Sequence, residues 1–297
     1  MKEIVDFFII GAPKAGTTSI ANYLEQHPKV CISSVKEPFY FNASSPKFRG
    51  FINWNEYKKL YKKCEGNSLK GEGTTWYLYS EDAIDNILAH NSNAKFIVCL
   101  RNPVESVVSW HKQMMLTGAE SLEDFEEAWN AEKKRVVKNY KPPVYDDLSV
   151  LRYREIYKLG SQAQRLYKKV PKENIHIILY DDLKKDVKKV YIDLLKFLNL
   201  STDINVSFDI HYPRSSTKNR LMQKIGMLFS YRQRVKLAYY MQNLGIDIYS
   251  LYLRLNTKPA EKEVVSQNIK KEILEHYEDE IKLLMKKTGL NLSHWLD

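Results

Sequence analysis

At 297 residues with 44% hydrophobic content, the chain is long enough to bury a sizeable core, which excludes disorder as its resting state. Its 46 Lys and Arg against 36 Asp and Glu leave a net charge of +10, which favours an anionic partner: a nucleotide, a nucleic acid, a membrane surface or an acidic glycan. The three cysteines, Cys31, Cys64 and Cys99, lie more than thirty positions apart with neither metal-ligand spacing nor a disulfide framework, and read as buried apolar residues in a reducing, cytoplasmic setting.

In chain order, Val5 to Ile10 reads as a short apolar strand, too short for a secretory leader or a membrane span, and Thr17 to Gln26 has helical spacing. Lys36 to Phe41 reads as extended, and Gly71 to Tyr79 as a strand end and loop before a helix from Ser80 to Ala89. A second apolar strand, Lys95 to Leu100, runs into Arg101-Asn102-Pro103, and Pro103 suits the first turn of a helix from Val104 to Met115. A helix over Leu122 to Val137, a break at Pro142-Pro143 and a long helix over Leu151 to Val170 follow. Ile175 to Tyr180 is a third strand, with Asp181-Asp182 as the cap of a helix from Leu183 to Leu198. Ser201 to Thr217 reads as a loop, then Arg220 to Leu255 and Glu261 to Lys287 as helices; within the first, Tyr231 to Tyr240 is basic and aromatic, and reads as a helix packed on its own domain ahead of one making peripheral membrane contact. Apolar strands alternating with helices predict an α/β fold, a central, mostly parallel sheet flanked by helices on both faces. A single domain over 1–297 is expected, mostly helical from about 220.

The first strand-loop-helix junction is built for an anion. Backbone N–H groups at Ala15, Gly16 and the helix start, the helix dipole, the Lys14 ammonium and the hydroxyls of Thr17, Thr18 and Ser19 all favour negative charge there. Triphosphate loops place Lys after the second Gly, as GxxxxGK[ST]; here Lys14 precedes Gly16, and no Asp follows the Lys95–Leu100 strand to hold Mg²⁺. In a doubly wound sheet the loops after Ile10 and Leu100 both lie beyond the carboxyl ends of the strands, so Lys14 and Arg101 belong to one ligand crevice.

The order Pro13-Lys14-Ala15-Gly16-Thr17-Thr18-Ser19 resembles the 5′-phosphosulfate loop of sulfotransferases that use 3′-phosphoadenosine 5′-phosphosulfate (PAPS). Phe96 to Pro103 followed by Ser109, eight positions after Arg101, resembles the same family's 3′-phosphate site. Ser121 to Glu126, Tyr180 to Leu183 and the terminal Asn291 to Trp295 are similar to its bacterial and glycan-modifying members. The resemblance implies a P-loop-like three-layer fold, PAPS as donor, PAP as product and no metal. It implies Lys14 to Ser19 on the 5′-phosphosulfate and Arg101 with Ser109 on the 3′-phosphate. Arg214 and Lys218 would form a basic loop closing over that phosphate, with Trp76 or Tyr77 beside the adenine.

Val35-Lys36-Glu37-Pro38 resembles the Lys-Glu-Pro segment of glycan sulfotransferases, which implies Glu37 as base for a sugar hydroxyl and Lys36 as a group steadying the sulfuryl. Glu72 and His111 are rival bases. The expected acceptor is a hydroxyl of a carbohydrate, glycolipid or small metabolite. The competing readings are an ATP-dependent kinase-like P-loop enzyme and a basic nucleic-acid-binding protein; missing triphosphate motifs oppose the first and the lack of a nucleic-acid module the second.

Overall fold

The computed structural model of the chain describes residues 5–44, 49–51, 53–64, 66, 68–144, 147–208, 215–219, 223–224, 228–259 and 265–297. The chain divides into two compact units, 1–101 with 166–212, and 102–165 with 213–297.

The first unit is built on five parallel strands, β1 (Phe7–Gly11), β2 (Val30–Ile32), β3 (Leu69–Gly73), β4 (Lys95–Leu100) and β5 (Ile175–Leu179), in the order β2-β3-β1-β4-β5. β1 is central because its Phe-Phe-Ile-Ile run is apolar on both faces, as a strand covered on both sides requires. Phe7 and Ile9 face a core with Ile97, Cys99 and Ile178, roofed by α1 (Thr17–Glu25) through Ile20 and Leu24. Tyr191, Leu194 and Leu195 of a later helix join the same core. Phe8 points the other way, 6.2 Å from Phe96 and 5.5 Å from Phe41.

Two strands escape the apolar-run criterion. β2 has only three residues, and β3 reads Leu-Lys-Gly-Glu-Gly. Gly71 is there for space: opposite Phe7 in the register, a Cβ on it would lie 2.1 Å from that ring. The expected extended stretch Lys36–Phe41 is instead bent, with Glu37 at φ 56° and Phe39 at φ 54°. Beyond β3, α2 (Trp54–Tyr57) precedes it in the chain and α3 (Ala83–His90) follows.

The second unit is mostly helical. It opens with α4 (Pro103–Thr117), where Pro103 takes the first turn and Asn102 caps Val104 N–H, and continues with α5 (Phe125–Val137), capped by Asp124. The expected helix over Leu151–Val170 is broken into α6 (Tyr153–Ile156) and α7 (Leu159–Lys169). The start of α6 is tied down by Arg154, whose N–H donates to Glu132 at 2.9 Å and whose guanidinium lies 3.9 Å from the Trp129 ring centroid. In the first unit, the single helix expected after β5 is likewise two, α8 (Tyr180–Lys185) and α9 (Val187–Phe197), and the capping carboxylate is Asp186, not Asp181 or Asp182. The second unit ends in α10 (Tyr231–Asn243), α11 (Ile248–Asn256) and α12 (Gln267–Thr288), with β6 (Ser215–Thr217) pairing antiparallel to β7 (Thr257–Pro259).

The cysteine reading is corrected. Cys31 at the middle of β2 is disulfide-bonded to Cys64, with Cα atoms 5.7 Å apart, and only Cys99 is a buried free thiol. A spacing of 33 residues carries no pairing signal, so sequence gave no access to the bridge. Closing a loop of that length restricts the unfolded chain by about 4 kcal/mol. Reductant, or Cys31→Ser with Cys64→Ser, is expected to lower the melting temperature by roughly 5–10 °C. Thiol titration of the unreduced, denatured chain should find one reactive thiol; three thiols and an unchanged melt would refute the bridge.

Candidate active site

The loop from Gly11 to Gly16 turns β1 into α1 through three residues with positive φ, Gly11 at 151°, Lys14 at 64° and Gly16 at 88°. Gly16 is the N-cap of α1 and offers no side-chain acceptor, which leaves the helix N-terminus to an external anion. A Cβ on Gly16 would meet Leu183 at 2.9 Å and Tyr180 at 3.3 Å, so glycine suits both the backbone angle and the α8 side chains. Thr17 is buried; Thr18 and Ser19 are half-buried at the helix start.

Three cations converge on this turn. Lys14 is half-buried, and desolvation, then repulsion from Lys36 and from Arg101, brings its pKa down to about 8. Arg101, at the exit of β4, donates from Nη1 to the Lys14 carbonyl at 3.2 Å and stacks its guanidinium 4.5 Å from the Tyr180 ring centroid. Lys36 Nζ donates to Thr18 Oγ1. Desolvation lowers the Lys36 pKa as well, opposed by the charge of neighbouring Glu37. Like charges held together out of water form a cluster that only an anion relieves.

Glu37 lies in a backbone conformation that disfavours a non-glycine residue, at a cost of order 1–3 kcal/mol, and doubly so before Pro38. Its surroundings hold it there. Glu37 N–H donates to Gly73 O at 3.0 Å, Thr75 N–H donates to Oε2 at 2.9 Å and Thr75 Oγ1 to Oε1 at 3.0 Å. Desolvation raises its pKa, opposed by Lys36 and by the Thr75 bonds. The carboxylate is therefore a stronger proton acceptor than a solvated one, and sits beside the cation cluster.

The rival bases have other occupations. Glu72 is 0% exposed beneath Glu37, accepting from Tyr57 OH and, at 2.5 Å, from Thr74 Oγ1. Burial lifts its pKa to about 7. His111 is 1% exposed, with Nε2 2.9 Å from Leu122 O and its ring against Phe125 and Tyr153. Neither reaches an acceptor from solvent. Tyr77 is fully buried, with its OH accepting from Phe41 N–H at 3.1 Å, so it belongs to the core instead of an adenine slot.

Lys14, Thr18, Lys36, Glu37 and Arg101 thus stand together in the first unit. Ser109 lies half-buried on α4 and Lys218 is exposed just after β6, both in the second unit; Arg214 lies outside the described residues. Sequence reasoning missed Thr75, which orients Glu37, and the stacking role of Tyr180; a Thr-Thr pair at the end of a Gly-rich strand carries no signal for the first. No group of three His, Cys, Asp or Glu side chains among the described residues is placed to hold a metal ion.

Residues 5–226 match the family model for the sulfotransferase domain. A membrane-associated sulfotransferase of Dictyostelium discoideum, kil1, is 34% identical over 105 residues, which is 35% of this chain and 22% of that protein. Heparan sulfate glucosamine 3-O-sulfotransferase 3B1 of Homo sapiens is 29% identical over 114 residues, 38% of this chain and 28% of that protein. The chain spans about a quarter of the length of these curated relatives. A crystal structure of a sulfotransferase from Alicyclobacillus acidocaldarius superposes with a TM-score of 0.73 at 20% identity over 99% of both chains, which establishes the fold.

Glu72 makes a stability prediction. Its pKa of about 7 in the folded chain lies above the ordinary 4.5, so its contribution is complete below 4.5 and is lost as pH rises through about 7. Over that window the unfolding free energy of the wild type is expected to fall relative to Glu72→Gln by about 3 kcal/mol. Urea melts at a series of pH values check this, and a constant difference between the two proteins would rule it out.

Proposed function

The chain belongs to the sulfotransferase domain family, and from that premise we propose that it transfers a sulfuryl group from PAPS to a hydroxyl of a carbohydrate, glycolipid or small-metabolite acceptor, releasing PAP. The observation that carries this reading is the cluster of Lys14, Lys36 and Arg101 at an uncapped helix N-terminus beside the strained carboxylate of Glu37. Family membership displaces the kinase and nucleic-acid readings.

When bound, the donor supplies an electrophilic sulfur and a phosphate leaving group. Ala15 and Gly16, with Thr17, Thr18 and Ser19 at the head of α1, hold the 5′-phosphosulfate through backbone N–H and hydroxyl donors. Lys14 neutralises the bridging oxygen as the sulfur–oxygen bond to phosphate breaks. Lys36, already against Thr18, balances charge on the sulfuryl oxygens. Glu37 takes the acceptor proton as the acceptor oxygen–sulfur bond forms, with Thr75 fixing the direction of its carboxylate.

Arg101 offers two parallel N–H donors to the 3′-phosphate, and Ser109 is assigned to the same group by its spacing in sequence. Arg214 and Lys218 are assigned to a closing loop on the same ground. Both compact units are taken as parts of one sulfotransferase domain over 1–297, mostly helical from about 220. A carbohydrate acceptor is favoured by the Lys36-Glu37-Pro38 segment and by the similarity to a heparan sulfate sulfotransferase. No described helix is long and apolar enough to cross a membrane. The cytoplasmic expectation loses its support, since it rested on unpaired cysteines and disulfides persist in oxidising compartments.

3′,5′-Bisphosphoadenosine is expected to raise the melting temperature well above the shift given by AMP, and Arg101→Ala to erase the difference; equal shifts in the wild type would sink the donor assignment. Because the protonated Lys14 binds the anion, affinity for the bisphosphate should weaken as pH rises through about 8, an effect that titration calorimetry would find missing in Lys14→Ala. Glu37→Gln should lose transfer by a factor of about 10²–10⁴ while keeping bisphosphate affinity. Retained turnover in that variant, read by intact-mass screening of hydroxyl acceptors with PAPS, would remove Glu37 as the base.

A further inference from the structure

The stretch from Pro213 to Pro259 holds nine Lys and Arg and one acidic residue, Asp247, so it carries +8 of the chain's net +10. The same stretch breaks the burial rule. Of ten large apolar side chains exposed among the described residues, eight lie between Leu228 and Leu255, with Leu228 81%, Leu244 74% and Tyr240 63% exposed. Isolated exposed apolar residues are ordinary, but a concentration of this kind in one short stretch marks an interaction surface.

The helical geometry shows that these side chains are presented, not merely left over. α10 buries Val235 and Tyr239, four positions apart on one side of the helix. Leu237, Tyr240 and Leu244 fall on the opposite side, within about 60° of one another at 3.6 residues per turn. Arg234 lies on one flank of that outward stripe and Lys236 on the other. On α11, Leu251, Arg254 and Leu255 repeat the arrangement, outward while Asn256 is buried.

We propose that the outward faces of α10 and α11 dock on the surface of an anionic lipid bilayer. An apolar stripe edged by cations is the pattern of a helix lying in the interface plane, with Leu side chains at the acyl boundary and Lys and Arg at the headgroups. Helices of 13 and 9 residues are too short to span. A second copy of the chain would bring +8 against +8, and a nucleic acid would take the charge while leaving the leucines in water. A bilayer carrying anionic headgroups satisfies both features at once.

Co-sedimentation of the full chain with phosphatidylcholine vesicles, with and without phosphatidylserine, tests this. The wild type is expected to sediment with the phosphatidylserine vesicles and to be released by salt. Replacing Leu237, Leu244 and Leu251 together by Ser should lower partitioning at least about tenfold, and Arg234→Gln about fivefold. Val137→Ser, at a position 87% exposed outside the stretch, should change nothing and controls for general stickiness. The proposal fails if neither vesicle binds, if both bind alike, or if the triple Ser variant partitions as the wild type does. It fails equally if vesicles do not bind while short duplex DNA does, or while the triple Ser variant abolishes a wild-type dimer.

Discussion

Everything in the first unit's candidate site depends on holding three cations together in a partly dehydrated turn. Desolvation, reinforced by repulsion from Lys36 and Arg101, brings Lys14 down to about 8, and nothing in a folded chain gains stability from that alone. The sheet order supplies the force that keeps them there. β1 and β4 are adjacent and buried, Ala12 N–H is bonded to Cys99 O at 2.6 Å across them, and the loops carrying Lys14 and Arg101 leave the sheet side by side. Tyr180, from the next strand's exit, then gives Arg101 an aromatic face that replaces part of its lost hydration.

The two buried carboxylates divide labour by depth. Glu72 is sealed under tyrosine and threonine hydroxyls and is favoured in its protonated form until about pH 7, so it serves as a hydrogen-bonded support. Glu37 lies one layer nearer the cation cluster, and its charged form is stabilised by Lys36 and by two Thr75 donors. Residual charge on Glu72 would itself favour protonation of Glu37, so the environments of the two are linked. The strained backbone at Glu37 is the cost of aiming a carboxylate at the cations instead of along a strand.

How far sequence carried depended on whether local pattern and tertiary contact agreed. At β4 they agree: six apolar-rich residues give a strand whose bounds, Lys95 and Leu100, are those expected, and Arg101 follows at its exit. The loop at Lys14 was legible because glycine, lysine and hydroxyl residues in that order have one electrostatic purpose. β3 was not, since its glycine and glutamate are chosen by the Phe7 ring and by Tyr57 and Thr74, neighbours that sequence order does not reveal. The Lys36–Phe41 bend belongs to the same class, where the long-range bond from Glu37 N–H to Gly73 O overrules local spacing.

The disulfide bears on the site through the segment it anchors. Cys31 is the middle residue of β2, and the chain leaving that strand reaches Lys36 and Glu37 within six residues. Along the way Ser33 N–H is tied to Gly71 O at 2.9 Å and Ser34 N–H to Leu60 O at 3.0 Å, so one side rests on the sheet and the other on the segment that ends at Cys64. That second segment also carries Tyr57, the hydroxyl on Glu72. One covalent link therefore fastens together the strand that leads to Glu37 and the residues that support the carboxylate of Glu72, where a strand of three residues at a sheet edge has few hydrogen bonds of its own to do so.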